Sequence, residues 1–346
     1  MRDLYDATAM VAELERRFGA HVRAHELMAR HTTFGVGGPA DAWVTVARQS
    51  EVVDLVTLAA AREWPLMVAG NGTNVLYADA GVRGIVMQMA LTQWDAQDLD
   101  DVRVSLVAGA GVSLPKLVND LASRGLSGLE WGAGVPGTIG GAIVSNAGAH
   151  HSEVSDTIRS ARVLFTTGVA TVDDSRGAAE QTGVHVRDLD AAELELAYRH
   201  SRFRADRRIT FDDAGRPTVP ARTLIEPPEM ILGGTFLLRR APADEVRARV
   251  AQYRQHRKAT QPPQASAGSV FKNPPGDHAG RLIEAAGLKG ASVSGAQISP
   301  VHANFIVNTG GASAADVVAL IALARRTVRE RFGIQLELEV ELRGAW

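Results

Sequence analysis

The chain has 346 residues, long enough for two or three domains with separate cores. Its 45% hydrophobic and 22% charged content is ordinary for a globular protein, and a net charge of −2 argues against general nucleic-acid binding. No cysteine is present, which excludes disulfides, thiolate catalysis and cysteine-ligated zinc or iron–sulfur clusters. Met1-Arg2-Asp3 leads into polar sequence with no secretory pattern, and no run of about 18 apolar residues is long enough to span a bilayer. A cytoplasmic α+β protein without membrane attachment is the expectation.

Residues 7–17 predict a leading helix that ends near Gly19. His31-Thr32-Thr33-Phe34-Gly35-Val36-Gly37-Gly38-Pro39 is a glycine-rich entry to a strand over 42–47, where Val44 and Val46 alternate. Ser50 is a plausible N-cap for a helix reaching Glu63, and 65–69 (P-L-M-V-A) reads as a short buried strand. Together these predict a parallel β-α-β unit. The strand runs straight into Gly70-Asn71-Gly72-Thr73-Asn74, the usual placing of a phosphate-holding loop.

Further strands are expected at 84–89 and 102–108, then a helix opened by Ser113 and Pro115 with Gly125 just past its end. From Trp131 to Ala149 the chain reads W-G-A-G-V-P-G-T-I-G-G-A-I-V-S-N-A-G-A, with six glycines between Gly132 and Gly148. Such a loop lets backbone amides approach an anion closely. Neither loop is a Walker A sequence or a G-x-G-x-x-G opening a helix, so a P-loop ATPase or Rossmann enzyme is disfavoured. Two unrelated glycine loops instead suggest one elongated dinucleotide held from two sides.

Strands are expected near 158–165, 193–198 and 231–238, with an irregular hairpin or loop over 205–230. Ala243–Lys258 predicts a basic helix opening another domain, followed by a turn-rich stretch at 267–275, a short helix at 279–287 and a long helix capped by Ser313 and ending at Gly333. The apolar stripe of Val317, Leu320, Ile321, Ala324 and Val328 on that helix reads as core. A strictly alternating strand is expected over 335–342. The domain expectation is 1–90, 91–240 and 241–346.

Three places concentrate chemistry. Tyr198-Arg199-His200-Ser201-Arg202-Phe203-Arg204, with Arg207 and Arg208 beyond, is either a solvated basic segment or a clamp for phosphate or carboxylate. Gly268-Ser269-Val270-Phe271-Lys272-Asn273 is either a capped turn or a source of proton donors, and no hydrolase triad spacing accompanies it. The last strand offers Glu337, Glu339 and Glu341 on one face, and pattern alone does not choose among them. The ten histidines show no ligand spacing, His150-His151 reads as a surface pair, and no metal is expected.

Eight stretches in one order carry a family likeness: H-T-T-F-G-V-G-G-P-A, G-N-G-T-N-V-L-Y-A-D, V-P-G-T-I-G-G-A-I-V-S-N-A-G-A, Y-R-H-S-R-F, A-G-S-V-F-K-N-P, G-R-L-I-E-A-A-G-L-K-G, H-A-N-F-I-V-N and the terminal L-x-x-E-V. From about His31 to Gly344 the chain resembles the UDP-N-acetylenolpyruvoylglucosamine reductase family, the flavoenzymes that complete UDP-N-acetylmuramate in peptidoglycan synthesis. The resemblance implies an α+β FAD-binding fold of the vanillyl-alcohol-oxidase type, made of two FAD subdomains, plus a C-terminal α+β substrate domain. It implies non-covalent FAD and a ping-pong reaction in which NADPH is the co-substrate and UDP-N-acetylglucosamine enolpyruvate takes the hydride. A monomer acting on small molecules, without nucleic acid or membrane partners, is expected.

By position, the resemblance implies catalytic roles for Ser269 (proton donor to the carbanionic carbon), Arg199 (carboxylate binding and enolate stabilisation) and Glu339, which the family pattern selects from three candidates. It implies FAD binding by Gly70, Asn71, Gly72, Thr73, Asn74, Val135, Pro136, Gly137, Thr138, Gly140, Gly141 and Asn146, and substrate contacts at Tyr198, Arg257, Lys272, Asn273 and His302. Lys272 is a candidate to polarise Ser269. The stretch between Arg199 and Gly268 lacks the tyrosine-bearing loop of one family subtype, so the chain resembles the other subtype, with a longer insert near 210–228. Arg204 stands where the family often has lysine, a charge-keeping change. Two readings compete: an FAD-dependent sugar or alcohol oxidase of the same fold, and a non-catalytic nucleotide or RNA binder using Arg199–Arg208 and the 243–258 helix.

Overall fold

The computed structural model describes residues 5–167, 183–204, 210–211, 217–218 and 224–346. In chain order the elements begin with α1 (Ala7–Phe18), β1 (Val22–Leu27), β2 (Pro39–Val46), α2 (Gln49–Ala61), β3 (Leu66–Ala69), β4 (Val75–Tyr77) and β5 (Val82–Met89). There follow β6 (Trp94–Asp98), β7 (Arg103–Gly109), α3 (Leu114–Ser123), β8 (Leu126–Ser127), α4 (Ile139–Val144), β9 (Gly148–Ala149), β10 (Ser152–Glu153), β11 (Ile158–Thr167) and β12 (Gly183–Asp190). The remainder comprises β13 (Thr210–Phe211), β14 (Pro217–Thr218), β15 (Ile225–Glu226), β16 (Glu229–Arg240), α5 (Ala243–Thr260), α6 (Ala279–Ala285), β17 (Ser292–Val293), β18 (Ala296–Ile298), β19 (Ile306–Asn308), α7 (Ala314–Phe332) and β20 (Glu341–Arg343).

The first sheet runs β1-β2-β5-β3-β15, with β2, β3 and β15 joined in parallel pairs through β5 and β3. The expected β-α-β unit is therefore present, with β5 inserted between its two strands. Both faces of this sheet are covered. Ala42, Val44 and Val46 enter the largest core, while Trp43 joins Met28, Met67, Tyr77 and Val86 in a smaller one on the other side. Burial on both faces explains why apolar residues occupy both sides of β2, interrupted only by Asp41 and Thr45.

The second sheet, β12-β11-β16-β7-β6, is antiparallel throughout. Val104, Leu106 and Ala108 point into the largest core, whereas Val107 on the opposite face is exposed. Period-two burial of this kind needs one wet face. Helix α5 packs against α3, and its Val246 and Val250 belong to the same core. The basic helix expected to open a new domain is thus anchored to the segment before it.

A separate core gathers α6, α7, β18, β19 and the C-terminal residues Leu336, Val340 and Leu342 around Phe34, Val36 and Leu76. The chain end returns to the first domain, where β20 pairs in parallel with β4. Ser313 caps α7 as expected: its hydroxyl accepts from the Asp316 amide and Asp316 answers at the Ser313 amide. No helix among the described residues is long and apolar enough to cross a membrane.

Three local expectations are corrected. Ser50 lies inside α2, whose N-cap is Arg48; Glu51 reaches back to accept from the Ala47 and Arg48 amides at 2.8 and 3.0 Å. Residues 193–198 form no strand, because Asp190 and Glu193 cap a 3-10 turn over Ala191–Leu194, and the strand lies upstream at β12. The 335–342 stretch keeps its alternating burial, but only Glu341–Arg343 is strand. The amides of Glu339 and Val340 both donate to the Val270 carbonyl, at 2.8 and 3.3 Å, and this bend breaks the ladder. Of the 205–230 segment, β13 and β14 pair as an antiparallel hairpin; Arg207 and Arg208 lie outside the described residues.

Candidate active site

The two glycine loops meet. A Cβ built on Gly70 would lie 3.2 Å from Thr138 Oγ1, and one on Gly137 would lie 3.3 Å from Thr73 Oγ1. Between and beyond them opens a cavity of about 700 Å³. Gly70, Asn71, Gly72, Thr73 and Asn74 line one side, and Val135, Pro136, Gly137, Thr138, Gly140 and Gly141 line the other. The first loop requires glycine at position 72: φ is +58°, and a Cβ there would fall 1.9 Å from the His31 carbonyl oxygen. The second loop opens α4, where the Thr138 side chain accepts from the Gly141 amide at 3.3 Å. Not every glycine there serves a ligand. Gly140 lets α4 pack on the second sheet just beyond β7, since a Cβ would approach that of Ala110 to 2.8 Å.

Asn146, expected to bind FAD, lies apart from the cavity wall. It is fully buried, and its amide donates to Glu153 Oε1 at 2.9 Å and to the Ala197 carbonyl at 3.0 Å, while its Oδ1 accepts from the Ser155 amide. Its hydrogen-bonding capacity is taken up inside the protein, and it does not line the cavity. Asn146 instead holds the turn that carries Arg199.

That turn is tight. Ala197 and His200 exchange backbone hydrogen bonds of 3.2 and 3.0 Å, the buried Ser201 hydroxyl donates to the Val144 carbonyl at 2.6 Å, and Arg199 is left-handed with φ of +52°. A non-glycine residue there costs roughly 1–2 kcal/mol, so the surrounding bonds must impose it. The result aims the guanidinium at the cavity wall. Arg199 Nε donates to Glu339 Oε1 at 2.9 Å, and Nη2 donates to the Gly148 carbonyl at 2.9 Å.

Glu339 arrives from the far end of the chain. Its carbonyl accepts from Asn74 Nδ2 at 3.1 Å, and the next strand residue, Glu341, donates its amide to the Asn74 carbonyl at 3.0 Å. The loop at 70–74 therefore also fixes the C-terminal bend. Burial raises the Glu339 carboxyl above the ordinary range, against the opposing charges of Arg199, Arg204 and Lys272. Glu337 is exposed and sits 3.7 Å from Lys272 Nζ, away from the cavity; Glu341 lines it but pairs with Arg343.

Ser269 lines the same cavity, bridged to Phe305, and among the described residues no side chain hydrogen-bonds its hydroxyl. Lys272, expected to polarise it, is turned toward Glu337. Arg257 also lines the cavity beside Gly134; burial lowers its pKa, and among the described residues it has no carboxylate partner. An unpaired, mostly buried guanidinium is costly unless an anionic ligand completes it.

Other expected substrate contacts lie apart. Tyr198 is half exposed, with its hydroxyl 3.5 Å from the Asn273 amide, and Asn273 Oδ1 accepts from the Ala279 amide at the start of α6. His302 stands apart as well: its Nδ1 accepts from the Asn304 amide at 3.2 Å, its ring packs beneath Gly280 and beside Phe305, and it does not line the cavity. His150 is no surface histidine, because its ring stacks on Tyr253 of α5 with centroids 4.0 Å apart. Residues the sequence reading passed over include Tyr77, Phe203, Gln261, Phe305 and Arg343, all in the cavity wall. Tyr77, Phe203 and Phe305 stand inside stretches already singled out, at G-N-G-T-N-V-L-Y, Y-R-H-S-R-F and H-A-N-F.

Residues 260–343 match the C-terminal domain of UDP-N-acetylenolpyruvoylglucosamine reductase, and residues 40–173 match an FAD binding domain. A UDP-N-acetylenolpyruvoylglucosamine reductase of Rubrobacter xylanophilus is 39% identical, the alignment covering 96% of this chain and 98% of that one. The chain belongs to the UDP-N-acetylenolpyruvoylglucosamine reductase family. A relative of the same name from Bacillus velezensis is 35% identical over 97% of this chain and 98% of its own. The crystal structure of the reductase from Thermus caldophilus superimposes with a TM-score of 0.67 and 35% identity, covering 93% of this chain and 99% of that one. For a reductase of this family, the FAD fold expected from the sequence is the fold observed.

Proposed function

We propose that this chain reduces UDP-N-acetylglucosamine enolpyruvate to UDP-N-acetylmuramate at the expense of NADPH, the step its family name describes in peptidoglycan synthesis. The observation that carries this reading is the Arg199–Glu339 pair set in the wall of the same cavity as Ser269 and both glycine loops. The cavity fits FAD: the Cβ atoms of Gly70 and Gly137 would intrude on the facing loop, and Arg257 supplies a cation with no carboxylate partner among the described residues. FAD bound there would pass the hydride from NADPH to the enolpyruvyl double bond.

This chain's residues do the rest. Backbone of 70–74 and the amides of Gly137 and Thr138 hold the pyrophosphate, since Pro136 has no N–H and the amides of Val135, Ile139, Gly140 and Gly141 donate within the protein. Arg199, permanently charged and pre-aimed, binds the enolpyruvyl carboxylate and stabilises the charge that develops on it, a contribution of roughly 3–4 kcal/mol for one such donor. Ser269 hands its hydroxyl proton to the adjacent carbon. Glu339, whose carboxyl burial pushes above the ordinary range, holds Arg199 in line and is a further acid group within the site. Tyr198, Lys272 and Asn273 form the outer rim of the substrate path, and Arg257 contacts phosphate. We divide the chain into FAD subdomains at 1–90 and 91–260, with α5 closing the second, and a substrate domain from 261 onward.

An anaerobic absorbance titration tests this. A yellow protein bleached by NADPH and restored by UDP-N-acetylglucosamine enolpyruvate is the expected result. Restoration by oxygen alone would point to an oxidase, and a colourless protein that takes up no FAD would sink both enzyme readings.

A further inference from the structure

One side chain touches the backbones of both members of the catalytic pair. Arg204 Nη1 donates to the Arg199 carbonyl at 2.8 Å, and its Nη2 donates to the Glu339 carbonyl. Its Nε stands 3.9 Å from Glu341 Oε1, and the side chain is 10% exposed. Arg204 does not line the cavity, whereas Arg199 and Glu339 do. It works from behind them. Glu341 in turn pairs with Arg343, and Arg343 with Glu226, which is 2% exposed in β15 of the first sheet. Arg204 is thereby the near end of a chain of alternating charges rooted in the FAD-side core.

We propose that Arg204 is a positioning residue for the reduction of the enolpyruvyl substrate: its fork clamps the two carbonyls and so fixes the distance and aim of Arg199 and Glu339. The inference rests on the roles given above to those two residues. Arg199 and Glu339 lie 140 positions apart in sequence, and neither backbone is regular at that point. Arg199 is left-handed, and Glu339 sits where the ladder to Val270 breaks. Two irregular segments carry no register of their own, so their spacing must come from a cross-link. A planar guanidinium with two donors at fixed separation supplies one; a lysine ammonium, a single point on a flexible stem, holds both carbonyls less strictly.

Arg204 also contributes charge. The groups facing Glu339 are Arg199 and Arg204 from the 198–204 turn and Lys272 from the serine loop, with Glu337 and Glu341 on its own segment. Removing Arg204 takes away one of three opposing cations, so the Glu339 carboxyl moves further up.

The test uses the full-length, FAD-loaded protein with R204K and R204Q, measuring the two half-reactions separately by stopped flow. Flavin bleaching by NADPH is expected to stay close to wild type. Reoxidation by UDP-N-acetylglucosamine enolpyruvate is expected to fall on the order of 10- to 100-fold in R204Q, the scale of a misaligned reacting pair, and less in R204K. The loss should appear in the rate at saturating substrate rather than in substrate affinity. In R204Q the pH limb belonging to Glu339 should move to higher pH, while in R204K, which keeps the charge, it should stay. Equal loss in both half-reactions, unchanged reoxidation, or an unmoved limb in a folded R204Q would overturn the proposal. Where R204Q fails to retain FAD, selective loss of reoxidation in R204K decides, and parallel loss or none sinks the idea. R199K and E339Q run alongside. If they leave reoxidation intact, the reading of the pair is at fault; if they cripple it while R204 variants are neutral, only the role of Arg204 falls.

Discussion

The two walls of the cavity are built by opposite means. The proposed cofactor wall is made of backbone from two segments, 70–74 directly after β3 and 135–141 running into α4. The proposed reaction wall is made of side chains from three segments, Arg199, Ser269 and Glu339, with the Gly148 carbonyl holding Arg199. The difference is instructive. A backbone cradle depends on local conformation and tolerates no added atoms, whereas a side-chain constellation depends on long-range cross-links and tolerates little loss of charge. The two walls are joined at Asn74, which belongs to the first and holds the Glu339 carbonyl of the second.

Substitutions in the reaction wall should give the largest and most selective effects. Arg199→Ala and Ser269→Ala are each expected to slow reoxidation by the enolpyruvyl substrate by roughly 10²–10³-fold, with bleaching by NADPH nearly unchanged. Parallel loss in both half-reactions would erase the distinction between the walls. Gly72→Ala tests the opposite wall. Its Cβ would collide with the His31 carbonyl at 1.9 Å, so FAD retention and thermal stability should drop together and both half-reactions should fall in step. A variant that keeps FAD but loses only reoxidation would break the comparison.

Asn74→Ala probes the seam. Losing its hydrogen bond to Glu339 should cost about 1 kcal/mol of stability by denaturant unfolding and slow reoxidation more than bleaching. A pH series sharpens the account of Glu339. Its carboxyl is raised in the fold, so the stability it contributes is present below the ordinary carboxylate range and fades as pH rises through the raised value. The melting-temperature difference between wild type and Glu339→Gln should therefore shrink with rising pH across that window; a growing difference would mean that the ion pair with Arg199 outweighs burial. Smallest of all, Glu337→Gln on the exposed neighbour should stay within about 0.5 kcal/mol of wild type and keep full activity.

Much of this was legible beforehand, for identifiable reasons. The glycine loops, the helix capped by Ser313 and the β-α-β unit all rest on short-range rules of capping, period and turn chemistry, and each is present. Failures came where distant groups override local pattern. The alternation of 335–342 kept its buried leucines, yet the Val270 carbonyl captured two successive amides and bent the strand at Glu339. Asn146 sits in a ligand-like motif, yet its buried amide is taken by Glu153 and Ala197. His302 carries the right residue type in the right stretch, but its ring is packed beneath Gly280.

By itself the sequence determined the elements that local physics dictates: positive-φ glycines, caps, apolar periods and the ordered set of stretches that resembles the reductase family. It also determined the chemical types available for the reaction, an arginine, a serine and a choice of three glutamates. The residue pattern left three glutamates and the family resemblance selected Glu339; only the tertiary structure shows it facing the arginine, which depends on β20 returning to β4 and on the bend at Val270. Only the tertiary structure likewise put the Arg204 guanidinium across two carbonyls 135 and 5 positions away. Contacts of such separation leave no periodic trace in a chain; they exist where packing of the cores brings the segments together.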